Sequence, residues 1–448
     1  MNLCQLVYNN KQAGTAIKKG DKMNMSKITI SHTKDYFIKD NKPFFYLADT
    51  VWSAFTNIYT DEWDKYLEYR KMQGFNVLQI NILPQWDASQ INLGISPFEK
   101  NRAGEINYFK INEEYFSHAC EMLYKAVQKG FTPAIVVLWC NYVPYTWLSK
   151  NRKQDIMPIE AIEPYCEYAA KLFKQFNPIF IVSGDTSFES ERTAEYYLKA
   201  LEVVKKNAED CLCTMHIWGD SDYLPTEFEE SIYLDFYMYQ SGHAQKNQNV
   251  EPWKMAQTFM KKNIKRPIVN GEPCYEGMGF KSGRYNQLNI RQAIWQSLLS
   301  GAKAGITYGA HGVWCWHRSF SNFEAASNWN MPFYWDEALR LQGAWDASYA
   351  RWIFENYDLF DIHPSEKIVN SETSLRMSAT SNEDKIIIYT PYSIDVDVKA
   401  DLDQYDIIGI ILENKHIIRP CISKKDDIYT IQMPQFNSDI LYIGQKKK

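Results

Sequence analysis

No stretch of this 448-residue sequence approaches the roughly 20 consecutive apolar residues of a membrane span. No helix that can be drawn from it carries a stripe of Lys and Arg, and the net charge is −5. Nucleic acid and anionic membranes are therefore not expected as partners. A His-Glu-x-x-His motif is missing, as is any tight Asp/His ligand cluster. A Gly-x-Ser-x-Gly elbow is missing too, and no glycine-rich phosphate loop follows any apolar run. Metal, cofactor and serine-nucleophile chemistry thus have no motif to rest on, and neither metal nor cofactor is expected. The nine cysteines are odd in number and scattered, and several (Cys120, Cys140, Cys166) fall inside apolar or helical runs. They predict reduced, buried thiols and no disulfide framework. Cys211-Leu212-Cys213 lacks zinc-site spacing and has no second pair. The first residues contain no apolar core of signal-peptide length. The expectation is a cytoplasmic protein with residues 1–26 a disordered extension and Met25 an alternative start.

Aromatic residues, by contrast, are abundant: 14 Trp, 30 Tyr and 23 Phe. Their faces suit sugar C–H surfaces as well as protein cores, so composition alone points weakly toward carbohydrate.

From Phe44 onward, short β-rich runs alternate with helical patterns. FFYLAD (44–49), NVLQINIL (76–83), TPAIVVLW (132–139) and IFIVSGD (179–185) are followed by CLCTMHIW (211–218), YLDFYMYQ (233–240), RPIVNGE (266–272) and GITYGAHG (305–312). Most are near-continuous apolar runs, as strands buried on both faces must be. The helix after the first run opens at Thr60 as its N-cap, buries Trp63, Tyr66, Leu67 and Arg70 along one face, and stops at Gly74. Eight such strands over about 265 residues fit an α/β fold, a (β/α)8 TIM barrel spanning 27–362. A long Trp-containing helix over 336–357 is expected to close it. Beyond Ser365 the texture changes to seven short strands at roughly ten-residue spacing. This predicts a small C-terminal antiparallel β-sandwich over 363–448.

Barrel chemistry sits at the carboxyl ends of the strands. Those ends present Asp49, Gln79, Trp139, Asp185, His216, Tyr239, Glu272 and His311. Two of them are carboxylates on strands four and seven, nearly opposite across the mouth: Asp185 after Ser183-Gly184, and Glu272 after Gly271. Two such groups are what glycosidic-bond hydrolysis requires, closer together for a retaining enzyme than for an inverting one. The competing reading is that each carboxylate caps a helix or pairs with an arginine such as Arg291. Nearby, Glu189 and Glu191 read as helix-start acids, and Glu276 as a further decoy. Asp49, ahead of Thr50, reads as well as a turn residue as a sugar ligand, and Gln79 reads as well as barrel filling. Of Trp52, Trp86, Trp139 and Trp314, candidates for stacking on sugar rings, two or more are expected to be packing.

KPFFYLADTVWSAF, GFNVLQINIL, IVSGDTS, FYMYQSGH, PIVNGEPCYEG and AGITYGAHGVWCW occur in the same order in the apiosidase-like glycoside hydrolases, which the sequence resembles from about 28 to 357. The resemblance implies a (β/α)8 barrel with its catalytic acids on strands four and seven, and a C-terminal collagen-binding-like β domain. It implies Asp185 as acid/base and Glu272 as nucleophile of a retaining enzyme, with Asp49, His216, Tyr239 and His311 lining the sugar subsite. Known activity in that group is on apiose-containing pectic side chains. A cytoplasmic enzyme suits a plant-derived oligosaccharide or glycoside as carbohydrate substrate. A catalytically silent carbohydrate-binding barrel, and a lyase or transglycosylase using the same pair, remain as alternatives.

Overall fold

The computed structural model describes residues 26–448 except 91, 92, 282, 328 and 436. The expected extension thus lies outside the described residues, apart from Ser26. Eight parallel strands form one sheet: β1 (Tyr46–Thr50), β2 (Val77–Asn81), β3 (Thr132–Trp139), β4 (Ile179–Gly184), β5 (Cys213–Thr214), β6 (Tyr237–Tyr239), β7 (Ile268–Asn270) and β8 (Gly305–Tyr308). Each pairs with its neighbour in sequence, β8 pairs back onto β1, and a parallel bridge between His216 and Met238 joins the fifth strand to the sixth. The result is the expected α/β barrel. β2 and β3 are buried at every position, which is why their sequences do not alternate.

The helix after β1 runs Thr60–Met72 and buries the four residues its pattern selects. Thr60 is its first helical residue and not its cap; the preceding Tyr59 N–H is instead taken by Glu62 Oε2 at 3.0 Å. Gly74 ends the segment at φ +88. Arg70 is tolerated on the buried face because it meets Asp49, with Nε 2.7 Å from Oδ2.

The structure departs from expectation in three places. A three-stranded antiparallel sheet (Ile28–Ile30, Phe37–Lys39, Lys42–Phe44) precedes the barrel. It seats Phe37 against Tyr46 and Phe236 and ties Lys39 to Thr132, the first residue of β3, so it covers the amino-terminal mouth. The expected helix over 336–357 is two helices, Trp335–Ala338 and Gly343–Asn356. In the break, Arg70 takes the Leu339 carbonyl and Glu276 Oε2 accepts the Gly343 N–H at 2.8 Å. Cys120 takes part in a disulfide, whereas Cys140, Cys166, Cys211, Cys213, Cys274, Cys315 and Cys421 are free.

Beyond the barrel, a six-stranded and a three-stranded antiparallel sheet follow. All seven expected runs are strands. Ile362–Pro364 and Ile422–Lys425, exposed at every position, join them, and neither has the apolar texture that would have announced it. Ile386 and Ile388 point into the small C-terminal core, while Ile387 and Tyr389 on the same strand pack into the barrel's. Across this junction Arg291 grips Asp439 through Nε and Nη2 at 2.8–3.0 Å and Asp346 through Nη1 at 3.0 Å. Lys415 closes the cluster onto Asp346.

Candidate active site

β4 ends at Gly184, where a Cβ would sit 2.2 Å from the Trp139 ring, so only glycine lets the indole of β3 pass beneath the chain. The next residue, Asp185, turns to φ +58, a left-handed conformation that Asp adopts more readily than most side chains. Its backbone is held from both sides: the N–H donates to His216 Nδ1 (3.2 Å) and the carbonyl accepts from Trp147 Nε1 (2.9 Å). Its side-chain Oδ1 is buried without a hydrogen-bond partner.

Glu272 lies just past β7. Its Oε1 is 2.9 Å from His243 Nε2, and its Oε2 is 3.1 Å from His216 Nε2. Because His216 Nδ1 accepts the Asp185 N–H, the neutral ring carries its proton on Nε2, facing Glu272. That second contact is close but not aligned as a hydrogen bond, which leaves Oε2 the freer oxygen. His216 therefore touches both acidic residues, one through its backbone and the other through its carboxylate.

These surroundings split the two acids. Burial would raise Glu272, but the His243 hydrogen bond and the close Nε2–H of His216 outweigh it and hold the carboxyl at about 2. For Asp185, burial comes first, then the negative charge of Glu272 and of Asp87; together they push it well above the carboxylate range, with Gln240 opposing. One group is ionised and its neighbour protonated, which is the division of labour that acid/nucleophile pairs need.

Both acids line one cavity of about 450 Å³, within the range of small-ligand sites. Trp86, Trp147 and Trp218 make one wall: Trp147 and Trp218 stack at 6.0 Å and Trp86 meets Trp147 edge-on at 5.8 Å. Trp218, 45% exposed, stands at the mouth. Tyr275, Phe280, Trp314 and Trp329 also line the cavity. Among the described residues no Lys or Arg does so, and no group of three or more His, Cys, Asp or Glu is placed to hold a metal ion.

Of the residues singled out in the sequence, Asp185, Glu272, Trp52, Trp86 and Trp314 line this cavity, and His216 meets Glu272. The others are not among its lining residues. Asp49 is buried between Arg70 and Tyr66, whose hydroxyl donates to it at 2.6 Å. Gln79 takes hydrogen bonds from Tyr46 and Thr307 and donates to the Gly271 carbonyl, filling the barrel. Trp139 packs under Gly184 and edge-on to Trp52 at 5.2 Å. Tyr239 donates to the Pro252 carbonyl at 2.8 Å. His311 accepts from Trp314 Nε1 and is bonded to the Asn330 carbonyl; burial holds it at about 3, so its ring is neutral. Neither acid pairs with Arg291. Glu189 accepts the Trp147 N–H, Glu191 opens a helix, and Glu276 anchors Tyr308 and Gly343. Asp87, Trp147, Trp218, Gln240, His243 and Tyr275 escaped the sequence reading, although His243 and Tyr275 stand inside FYMYQSGH and PIVNGEPCYEG.

The apiosidase-like catalytic domain matches residues 31–361 of the sequence. The chain belongs to the apiosidase-like family. It is accordingly a glycosidase. No curated protein matches it. Among solved structures, a glycoside hydrolase is 20% identical with a TM-score of 0.77, over 94% of this chain and 97% of the other. A glycoside hydrolase family 5 protein from Bacteroides vulgatus is 19% identical with a TM-score of 0.76, over 94% and 93%. At that identity both speak to the fold of this apiosidase-like chain, including its C-terminal sheets. Among the described residues no helix is long and apolar enough to cross a membrane.

Proposed function

We propose that this apiosidase-like chain hydrolyses an O-glycosidic bond of a plant-derived oligosaccharide or glycoside by a retaining mechanism. Asp185 gives its proton to the glycosidic oxygen while Glu272 Oε2 attacks the anomeric carbon; the bond to the leaving group breaks and a glycosyl ester forms. The Asp185 carboxylate then takes a proton from water as that water attacks the same carbon, releasing the sugar and restoring both groups. The observation that carries this reading is the shared cavity in which Glu272 is held ionised by two imidazoles while the neighbouring Asp185 is driven to stay protonated. The aromatic walls support a sugar as occupant, and the known activity of the apiosidase-like group on apiose-containing pectic side chains is the ground for a plant-derived one.

A panel of 4-nitrophenyl glycosides and pectic oligosaccharides tests the proposal. The expected result is turnover of at least one neutral glycoside, with proton NMR showing the first-formed sugar in the anomeric configuration of the substrate. Release of the opposite anomer would overturn the retaining step. Binding without turnover of any panel member would favour a silent sugar-binding barrel.

A further inference from the structure

Asp87 lies six residues past the end of a strand whose other polar residues are consumed by the fold. It lines the same cavity as Asp185 and Glu272. Its placement is built: Gln85 Nε2 donates to Asp87 Oδ1 at 2.8 Å, and Gln85 Oε1 in turn accepts from Asn81 Nδ2 at 3.0 Å. Asn81 is the last residue of β2, and its own N–H is fixed on the Trp52 carbonyl. A relay thus runs from the rigid barrel rim to one oxygen of Asp87 and leaves the other without such a tether. Among the described residues no cation forms an ion pair with it; Arg152, whose charge acts on it, pairs with Asp155 and covers the Trp86 ring. Holding a carboxylate in a cavity without a counter-cation costs free energy that packing does not repay. Such a group implies a ligand that supplies hydrogen-bond donors.

We propose that Asp87 is a third functional carboxylate of this site, binding hydroxyl groups of a neutral sugar ring and so selecting the sugar that is released. The inference rests on the glycosidase mechanism proposed above. Its location follows from the cavity that it shares with both acids, near enough for the charge of Glu272 to raise Asp87 and that of Asp87 to raise Asp185. The proposal places it on the ring whose anomeric carbon the two acids act on. Burial, with Gln85 opposing and Glu272 adding, brings Asp87 to about 7, so near neutral pH it can accept from one hydroxyl or donate to another. A uronic acid would set its own carboxylate against Asp87, Asp220 and Glu272 with no Lys or Arg in the cavity wall among the described residues. The fitting substrate class is an uncharged, polyhydroxylated sugar.

The test compares wild type, Asp87→Asn, Asp87→Ala, Gln85→Ala and the Gln85→Ala/Asp87→Asn double variant. The probes are 4-nitrophenyl and 2,4-dinitrophenyl glycosides of the neutral sugar turned over fastest. Loss of a charge-assisted hydrogen bond predicts a kcat/KM lowered roughly 10- to 100-fold in both Asp87 variants, by the same factor for the two leaving groups. Gln85→Ala, which leaves the carboxylate but removes its tether, gives a smaller loss, and the double variant is no worse than Asp87→Asn alone. Wild-type kinetics in Asp87→Asn would overturn the proposal. So would a loss confined to the poorer leaving group, which would place Asp87 in proton transfer. Failure of the underlying mechanism has a different signature, an active Glu272→Gln protein, so the two results are separable.

Discussion

Two clusters of buried carboxylates can be set side by side in this molecule. In the junction between barrel and C-terminal sheets, Asp439 and Asp346 share Arg291, and Lys415 completes the set, so charge is matched by charge and Asp439 accepts three guanidinium hydrogen bonds. In the cavity above the barrel, Glu272 faces two imidazoles, while an oxygen of Asp185 and one of Glu272 are buried with no aligned partner. Burial is common to both; satisfaction is not. The first arrangement spends its carboxylates on holding barrel helices to the C-terminal sheet, and the second keeps oxygens free for a visitor.

The sharpest way to break the comparison is Glu272→Gln. Turnover should fall by roughly 10⁴-fold or more, with the melting temperature near that of wild type, because an amide still accepts from His243. A fully active variant would sink the assignment. Asp185→Asn comes next: kcat/KM should drop by roughly 10²- to 10⁴-fold, most for poor leaving groups, as expected for a lost general acid. This variant should also gain stability. The folded-state pKa of Asp185 is raised, so ionising it costs the folded protein as pH climbs through the unfolded carboxylate value. The asparagine should therefore melt higher at pH 7 and no differently below about pH 3. In the junction the signs reverse. Asp439→Ala strands the buried Arg291 and should cost about 3–5 kcal/mol in denaturant unfolding while kcat/KM of the surviving native protein is unchanged. The smallest effect is a displacement. His243→Phe removes one of the donors that hold Glu272 near 2, so the acidic limb of the kcat/KM profile should move to higher pH. An acidic limb that stays in place would mean that His243 does not bond the nucleophile.

The barrel was readable because its strands are buried on both faces and its helices carry one apolar stripe each; Trp63, Tyr66, Leu67 and Arg70 are an example. Asp185 and Glu272 were readable for a related reason, as carboxylates following apolar strands with a small residue between. Strand-end position alone was a poorer guide. Asp49 ends β1 yet is committed to Arg70 and Tyr66, and Gln79 in β2 is committed to Tyr46, Thr307 and Gly271. Nothing in a strand pattern tells which side chains have partners waiting on other elements. Asp87, Trp147 and Trp218 were missed for the complementary reason. They reach the cavity from the segments after β2, β3 and β5, and the path of an irregular segment depends on contacts distant in sequence, such as Trp147 to Asp185 and Glu189. The exposed Ile422–Lys425 strand, half of it lysine, was invisible because its pairing is set by neighbours and not by its own composition.

The strand Lys385–Thr390 has two allegiances, one face turned to each core. A chain cut where the family match stops, at residue 361, would leave the barrel with an apolar scar and Arg291 stripped of Asp439. The catalytic unit for expression, crystallisation or directed evolution is therefore the barrel together with its C-terminal sheets, and melting should proceed as one event with those sheets leaving together with the barrel that they brace.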